Sequence, residues 1–162
     1  MYTGYYKGPL GYLKIVASAI GVHNIEFASE EQWEEEGRGK LMLKGDVTGE
    51  EGTSEFGDDI WNLKDYEMYI EVCRQLSMYF EGKLKHFDLP LRPAGTDFQK
   101  KVWRMLLTIP YGETKSYKDI AELAGSPGSA RAVGLANNRN PIVIVIPCHR
   151  VIGANGSMTG YG

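Results

Sequence analysis

The apolar residues of this chain recur with one period near its start and another further on, and that change restricts the folds open to it. In "YLKIVA", Leu13, Ile15 and Ala17 alternate with Tyr12, Lys14 and Val16, the two-residue repeat of a strand with one buried face. Gly8-Pro9 and Ile20-Gly21 interrupt such runs, so the first thirty residues predict a meander of short antiparallel strands. From Asp65 to Glu81 the repeat becomes helical, through Tyr66, Tyr69, Ile70, Cys73, Leu76, Met78 and Phe80. Cys73 falls on that face between Ile70 and Leu76 and reads as a small core residue. The segment "LPLRPAG", with two prolines and a glycine, predicts a linker and divides the chain into domains 1–89 and 90–162.

Residues 30–59 are acidic and rich in glycine, as in "EEQWEEEGRGK" and "GDVTGEEGTSEFGDD". They predict a long surface loop with one short strand at Leu41 to Leu43, its carboxylates solvated and holding no metal.

The second domain reads as helices. "TDFQKKVWRMLLTIP" opens with Thr96 and Gln99 at capping-box spacing and places Phe98, Val102, Met105, Leu106 and Ile109 on one face. Ser116 and Asp119 repeat the cap for "SYKDIAELAG", which Gly125 closes. Ser126-Pro127 predicts the start of a third helix, "SPGSARAVGLANN", with Ala130, Val133 and Leu135 packing. Two short helices around a glycine turn suggest a helix-turn-helix. The expected class is therefore α/β (α+β): an antiparallel-sheet domain with a helix, then a mostly helical, winged-helix-like domain.

Charge follows the same division. Residues 1–89 carry 9 Lys and Arg against 17 Asp and Glu, whereas residues 90–162 carry 9 against 4. A basic half, with Arg131 and Arg139 on its third helix, favours an anionic partner such as nucleic acid. No apolar run is long enough to span a membrane and no signal-peptide order opens the chain, so a cytoplasmic protein without membrane association is expected. Two cysteines and three histidines, at 23, 86 and 149, offer neither a disulfide framework nor zinc spacing.

In "PIVIVIPCHRVIG" the apolar run Ile142 to Ile146 predicts a buried strand that ends at Pro147. Cys148, His149 and Arg150 follow at once. A thiol reacts as its thiolate, and an adjacent imidazole or guanidinium can supply a base or a positive charge. A buried structural cysteine beside a basic neighbour is the plain alternative.

"IPCHRVIG" resembles the active-site motif of the O6-alkylguanine-DNA alkyltransferases, and the likeness extends over 96–162. "FQKKVWRMLLTIPYGETKSYKDIAELAG" is similar to that family's first helices, and "SARAVGLANNRNPIVIVIPCHRV" to its recognition helix, asparagine hinge and nucleophile. The resemblance implies that the protein binds duplex DNA containing O6-alkylguanine, flips the base out and transfers its alkyl group irreversibly to Cys148. His149 would activate the thiol through a water. Arg131 would enter the duplex in place of the flipped base, with Tyr117, Lys118 and Ala130 also on DNA. Tyr117, Asn140, Val151 and Tyr161 would line the guanine pocket, Asn140 as the hinge between recognition helix and active site. The recognition helix would enter the minor groove, which suits its small residues. No cofactor, no metal and a monomer are implied. In the family a later carboxylate orients the histidine. No Asp or Glu follows His149 in this sequence, and the in-register match up to Gly162 implies a chain cut short. A non-catalytic protein that flips damaged bases and recruits other factors is the alternative, and Cys148 counts against it. A Cys-His hydrolase and a transcriptional regulator fit less well. No oxyanion-hole motif accompanies the pair, and the recognition helix is poor in base-reading side chains.

Overall fold

The computed structural model describes residues 1–37, 42–44, 63–153 and Gly156. The chain divides into two compact units, Met1–Arg92 and Pro93–Gly162. The fold is mixed α/β, with the main sheet in the first unit and a helical second unit.

The first unit contains the expected meander. Strands β1 (Tyr2–Gly8), β2 (Gly11–Ser18) and β3 (Gly21–Ala28) pair antiparallel, and β4 (Met42–Lys44) adds in parallel beside β1. Leu13, Ile15 and Ala17 form the buried face. Helix α2 (Leu63–Phe80) covers it with Tyr69, Val72, Cys73 and Leu76. At the polar edge of α2, the Gln75 carboxamide holds the Asp88 backbone, accepting from its N–H at 2.8 Å and donating to its carbonyl at 2.9 Å.

Two expectations for this unit need correction. The loop expected from residue 30 begins instead with a helix, α1 (Glu30–Gly37). Ser29 and Gln32 form a reciprocal cap, Trp33 stacks on Tyr12 with ring centroids 5.5 Å apart, and Glu36 accepts from Tyr5 at 2.6 Å and Lys14 at 2.7 Å. One cap and one aromatic anchor thus order a segment whose charge alone argues for solvation. The rest of the acidic segment, 38–41 and 45–59, lies outside the described residues. "LPLRPAG" is also more than a linker. Val22 donates to the Pro90 carbonyl and accepts from the Arg92 N–H, both at 2.8 Å, so the segment pairs along the edge of β3.

In the second unit, α3 (Asp97–Leu106) and α4 (Tyr117–Leu123) both start with the capping boxes expected at Thr96/Gln99 and Ser116/Asp119. Trp103 adds a buried anchor, its indole donating to the Ala136 carbonyl at 2.9 Å. Helix α4 ends in a Schellman turn: Ser126 N–H reaches Ala121 O at 2.9 Å, Gly125 N–H reaches Glu122 O at 3.0 Å, and Gly125 has φ +73°. Helix α5 (Ala130–Asn138) begins later than expected, with Ser129 and not Ser126 at its N-cap. Ser126 is used in the preceding turn, where its carbonyl accepts from Ser129 N–H at 3.1 Å. Leu135, expected to pack, is 60% exposed, because the buried face of α5 runs through Val133, Ala136 and Asn137.

The expected strand Ile142 to Ile146 is a buried series of turns. Ile144 lies in the left-handed region at φ +73°, a conformation that costs a β-branched residue about 1–3 kcal/mol. Hydrogen bonds across one and three intervening residues hold it there: Val145 N–H to Val143 O at 2.8 Å and Ile146 N–H to Ile142 O at 3.0 Å. The run is apolar because it is core, and periodicity cannot tell a buried turn from a buried strand. A two-residue strand, β5 (Lys115–Ser116), pairs in parallel with β6 (Val151–Ile152) and so ties the start of α4 to the residues after Cys148. Among the described residues no helix is long and apolar enough to cross a membrane.

Candidate active site

Cys148 opens a single 3-10 turn, Cys148–Arg150, directly after the strained segment. Its N–H donates to Ile146 O at 2.8 Å, and its carbonyl accepts from the Val151 N–H and from Asn137 Nδ2 at 3.3 Å. The backbone of this residue is thereby held from both sides, and the residue is buried, 8% exposed.

The segment before it is closed by Asn140. Its Oδ1 accepts from Ile142 N–H at 2.9 Å and its Nδ2 donates to Ile146 O at 2.7 Å, spanning the turn that contains Ile144. One carboxamide therefore joins the end of α5 to the residue two before the thiol. The cost of Ile144 is offset by these bonds and by burial of the surrounding isoleucines.

His149, the next residue, is half-buried. Burial, and then the positive charge of Arg150, hold its imidazole below the ordinary value of 6.5. A neutral ring at neutral pH can accept a proton, which a buried imidazolium cannot. Arg150 itself turns away to brace the turn. Its guanidinium donates to Ile109 O at 2.8 Å, just after α3, and stands 5.6 Å from the Tyr111 ring centroid.

Tyr117, the first residue of α4, packs over α5 at Gly134, where an added Cβ would stand 3.8 Å from its ring. Its phenol titrates above the ordinary value through burial, opposed by the Asn137 side chain and reinforced by the nearby Cys148 thiol. Asn137, on α5, thus stands between the two, bonding to the Cys148 carbonyl and acting on the Tyr117 phenol of α4. Val151 is buried at the start of β6, beside Lys115.

Arg131 is exposed one residue into α5, Ala130 is half-buried at its start, and Lys118 is exposed on α4. The three lie on α4 and α5, and none of them is among the residues bonded to the Cys148 backbone. Tyr161 lies outside the described residues. Sequence reasoning missed Asn137 and the bracing role of Arg150. The first had a signal: residues 133, 136, 137 and 140 follow the spacing of one helical face, so Asn137 stands where an apolar residue is expected.

Comparison with known proteins decides the family. Residues 1–93 match the profile of the 6-O-methylguanine DNA methyltransferase, ribonuclease-like domain, and residues 97–162 match that of the 6-O-methylguanine DNA methyltransferase, DNA binding domain. The chain belongs to the 6-O-methylguanine DNA methyltransferase family. It is 43% identical over 161 residues to the methylated-DNA–protein-cysteine methyltransferase of Methanosarcina barkeri, covering 99% of this chain and 88% of that one. Over 100 residues it is 61% identical to the protein of the same name from Mycobacterium leprae, covering 62% of this chain and 61% of the relative. Among solved structures, the Mycobacterium tuberculosis OGT in complex with DNA superposes with a TM-score of 0.74 at 38% identity, covering 100% of this chain and 84% of that chain. The Mycobacterium tuberculosis O6-methylguanine methyltransferase gives 0.71 at 40% identity, covering 99% and 85%.

Proposed function

We propose that this protein repairs DNA by moving the alkyl group of O6-alkylguanine onto its own Cys148. The observation that carries the reading is Cys148 itself, its backbone fixed at the head of a 3-10 turn and followed at once by a half-buried histidine whose imidazole burial holds below its ordinary value. Methyl transfer from methylated DNA to a protein cysteine is the activity for which its relatives are named, and DNA is the partner named for a structural neighbour.

His149 takes the proton of the Cys148 thiol, through a water where direct contact is lacking. The sulfur attacks the alkyl carbon, the carbon–O6 bond breaks, and its electron pair leaves with the guanine, which is restored on protonation. The thioether is stable, and no residue of the site can reverse it, so each molecule acts once.

The target atom lies inside the duplex, so the base must leave the stack at a cost of a few kcal/mol. Arg131, exposed on α5, fills the gap, its flat and permanently charged guanidinium suited to stack and hydrogen-bond there. Ala130, Lys118 and Tyr117 sit against the DNA around it, and Tyr117, Asn140, Val151 and Tyr161 bound the guanine. In this reading residues 90–162 bind DNA and carry out transfer, and the protein acts as a cytoplasmic monomer.

The test incubates the full-length protein with excess duplex containing O6-methylguanine and digests the DNA to nucleosides. One lesion per protein molecule should become guanine, after which conversion stops. Tight binding with the lesion intact would overturn the reading in favour of a damage-binding protein, and continued turnover would overturn the single-use mechanism.

A further inference from the structure

The buried face of α5 carries one residue out of keeping with its surroundings. Asn137 is 2% exposed among Val133, Ala136 and the apolar residues around Cys148, and its Oδ1 is buried without a hydrogen-bond partner among the described residues. A buried acceptor left unmet costs folding free energy, and a leucine or methionine of similar size would avoid that cost. What the carboxamide does provide is a link. Its Nδ2 donates to the Cys148 carbonyl at 3.3 Å, and the same side chain bears on the Tyr117 phenol.

We propose that Asn137 is a positioning residue for alkyl transfer, holding the main chain of Cys148 in register with α5. The inference rests on reading Cys148 as the alkyl acceptor. Cys148 sits at the head of a single 3-10 turn, a short element with little stiffness of its own. Its peptide groups are fixed at the N–H by Ile146 and at the carbonyl by Val151 and Asn137. The two backbone bonds are local and move with the turn. Asn137 contributes the only one of these bonds that comes from α5. It therefore sets where the Cα–Cβ bond, and with it the sulfur, points relative to the helix that faces DNA. It differs from Asn140, which closes the turn before the cysteine and does not bond to Cys148.

Displacements of about an ångström in a reacting group can cost roughly a hundredfold in rate. Three variants of the full-length protein test the proposal: Asn137→Leu, Asn137→Met and, as an exposed neighbour, Asn138→Ala. Each is measured for single-turnover reaction with free O6-benzylguanine, for affinity to undamaged duplex DNA and for its denaturation midpoint. Asn137→Leu and Asn137→Met should lower the limiting rate roughly 10- to 100-fold. The half-saturating O6-benzylguanine concentration and the DNA affinity should stay within about twofold, and the midpoint should hold or rise as the unmet acceptor is removed. Asn138→Ala should match the parent protein. Wild-type rates in either Asn137 variant that folds, or rates that fall only in step with a lowered midpoint, would overturn the proposal and leave Asn137 a packing residue. Failure of the parent protein to react would instead overturn the reading of Cys148 on which the proposal rests.

Discussion

Both cysteines of this chain are buried, yet their surroundings differ in kind. Cys73 is fully buried in α2 against the sheet, and burial pushes its thiol up to about 12. The neighbouring Tyr69 lowers it only in part, and that phenol already donates to the Tyr5 carbonyl. Cys148 is nearly as buried, but it opens a 3-10 turn, is followed at once by His149, and accepts from Asn137 at its carbonyl. Degree of burial therefore does not tell the two thiols apart; in the function proposed above, the backbone geometry at Cys148 and the histidine that follows it do.

The largest effect expected is from Cys148→Ser. Alkyl transfer should vanish while affinity for duplex DNA stays within about threefold, since the DNA contacts proposed lie on α4 and α5 and not on Cys148. Loss of both together would mean that Cys148 supports the fold and does no chemistry. His149→Gln removes the base and should slow transfer by roughly 10²- to 10⁴-fold.

The pH profile sharpens the same point. The fold disfavours protonated His149, so its acid limb should fall below pH 6.5, the ordinary imidazole value. The same depressed pKa makes folding weaker as pH drops through it, because the unfolded chain then binds the extra proton. A limb above 6.5 would mean that the ring is stabilised in its charged form.

Arg131→Ala tests access to the thiol. Repair of a duplex should fall roughly 10- to 100-fold, the loss of one to three kcal/mol from the flipped state, while reaction with free O6-benzylguanine changes less than about threefold. Equal losses on both substrates would make Arg131 a structural residue.

The smallest effect belongs to the other thiol. Cys73→Ser should leave the transfer rate unchanged and lower stability by about 1–3 kcal/mol, the cost of a hydroxyl in an apolar site, read from chemical denaturation. A slowed transfer in a protein that still folds would break the contrast between the two cysteines.

The parts of this fold that the sequence displays are those set by local rules. Both capping boxes, the glycine that closes α4, the period-2 face of β2 and the helical face bearing Cys73 all depend on residues a few positions apart. Cys148 and His149 stand out in the sequence as candidates because they are adjacent and match a family motif. Other features depend on partners distant in sequence or on conformations that apolar composition hides. The run from Ile142 to Ile146 has the composition of a strand, and only Asn140 and the left-handed Ile144 make it a turn. Asn137 looks like one more polar residue in "ANNRN" until the face of α5 is known. Arg150 looks like part of the chemistry until Ile109, 41 residues earlier, takes up its guanidinium.

The most direct test of the contrast is to locate the alkyl group after reaction. The full-length protein is incubated with duplex containing O6-methylguanine, digested, and its cysteine peptides are measured by mass spectrometry. The account predicts one added methyl group on the peptide containing Cys148 and none on that containing Cys73. A methyl group on Cys73, or none on either peptide, would contradict it.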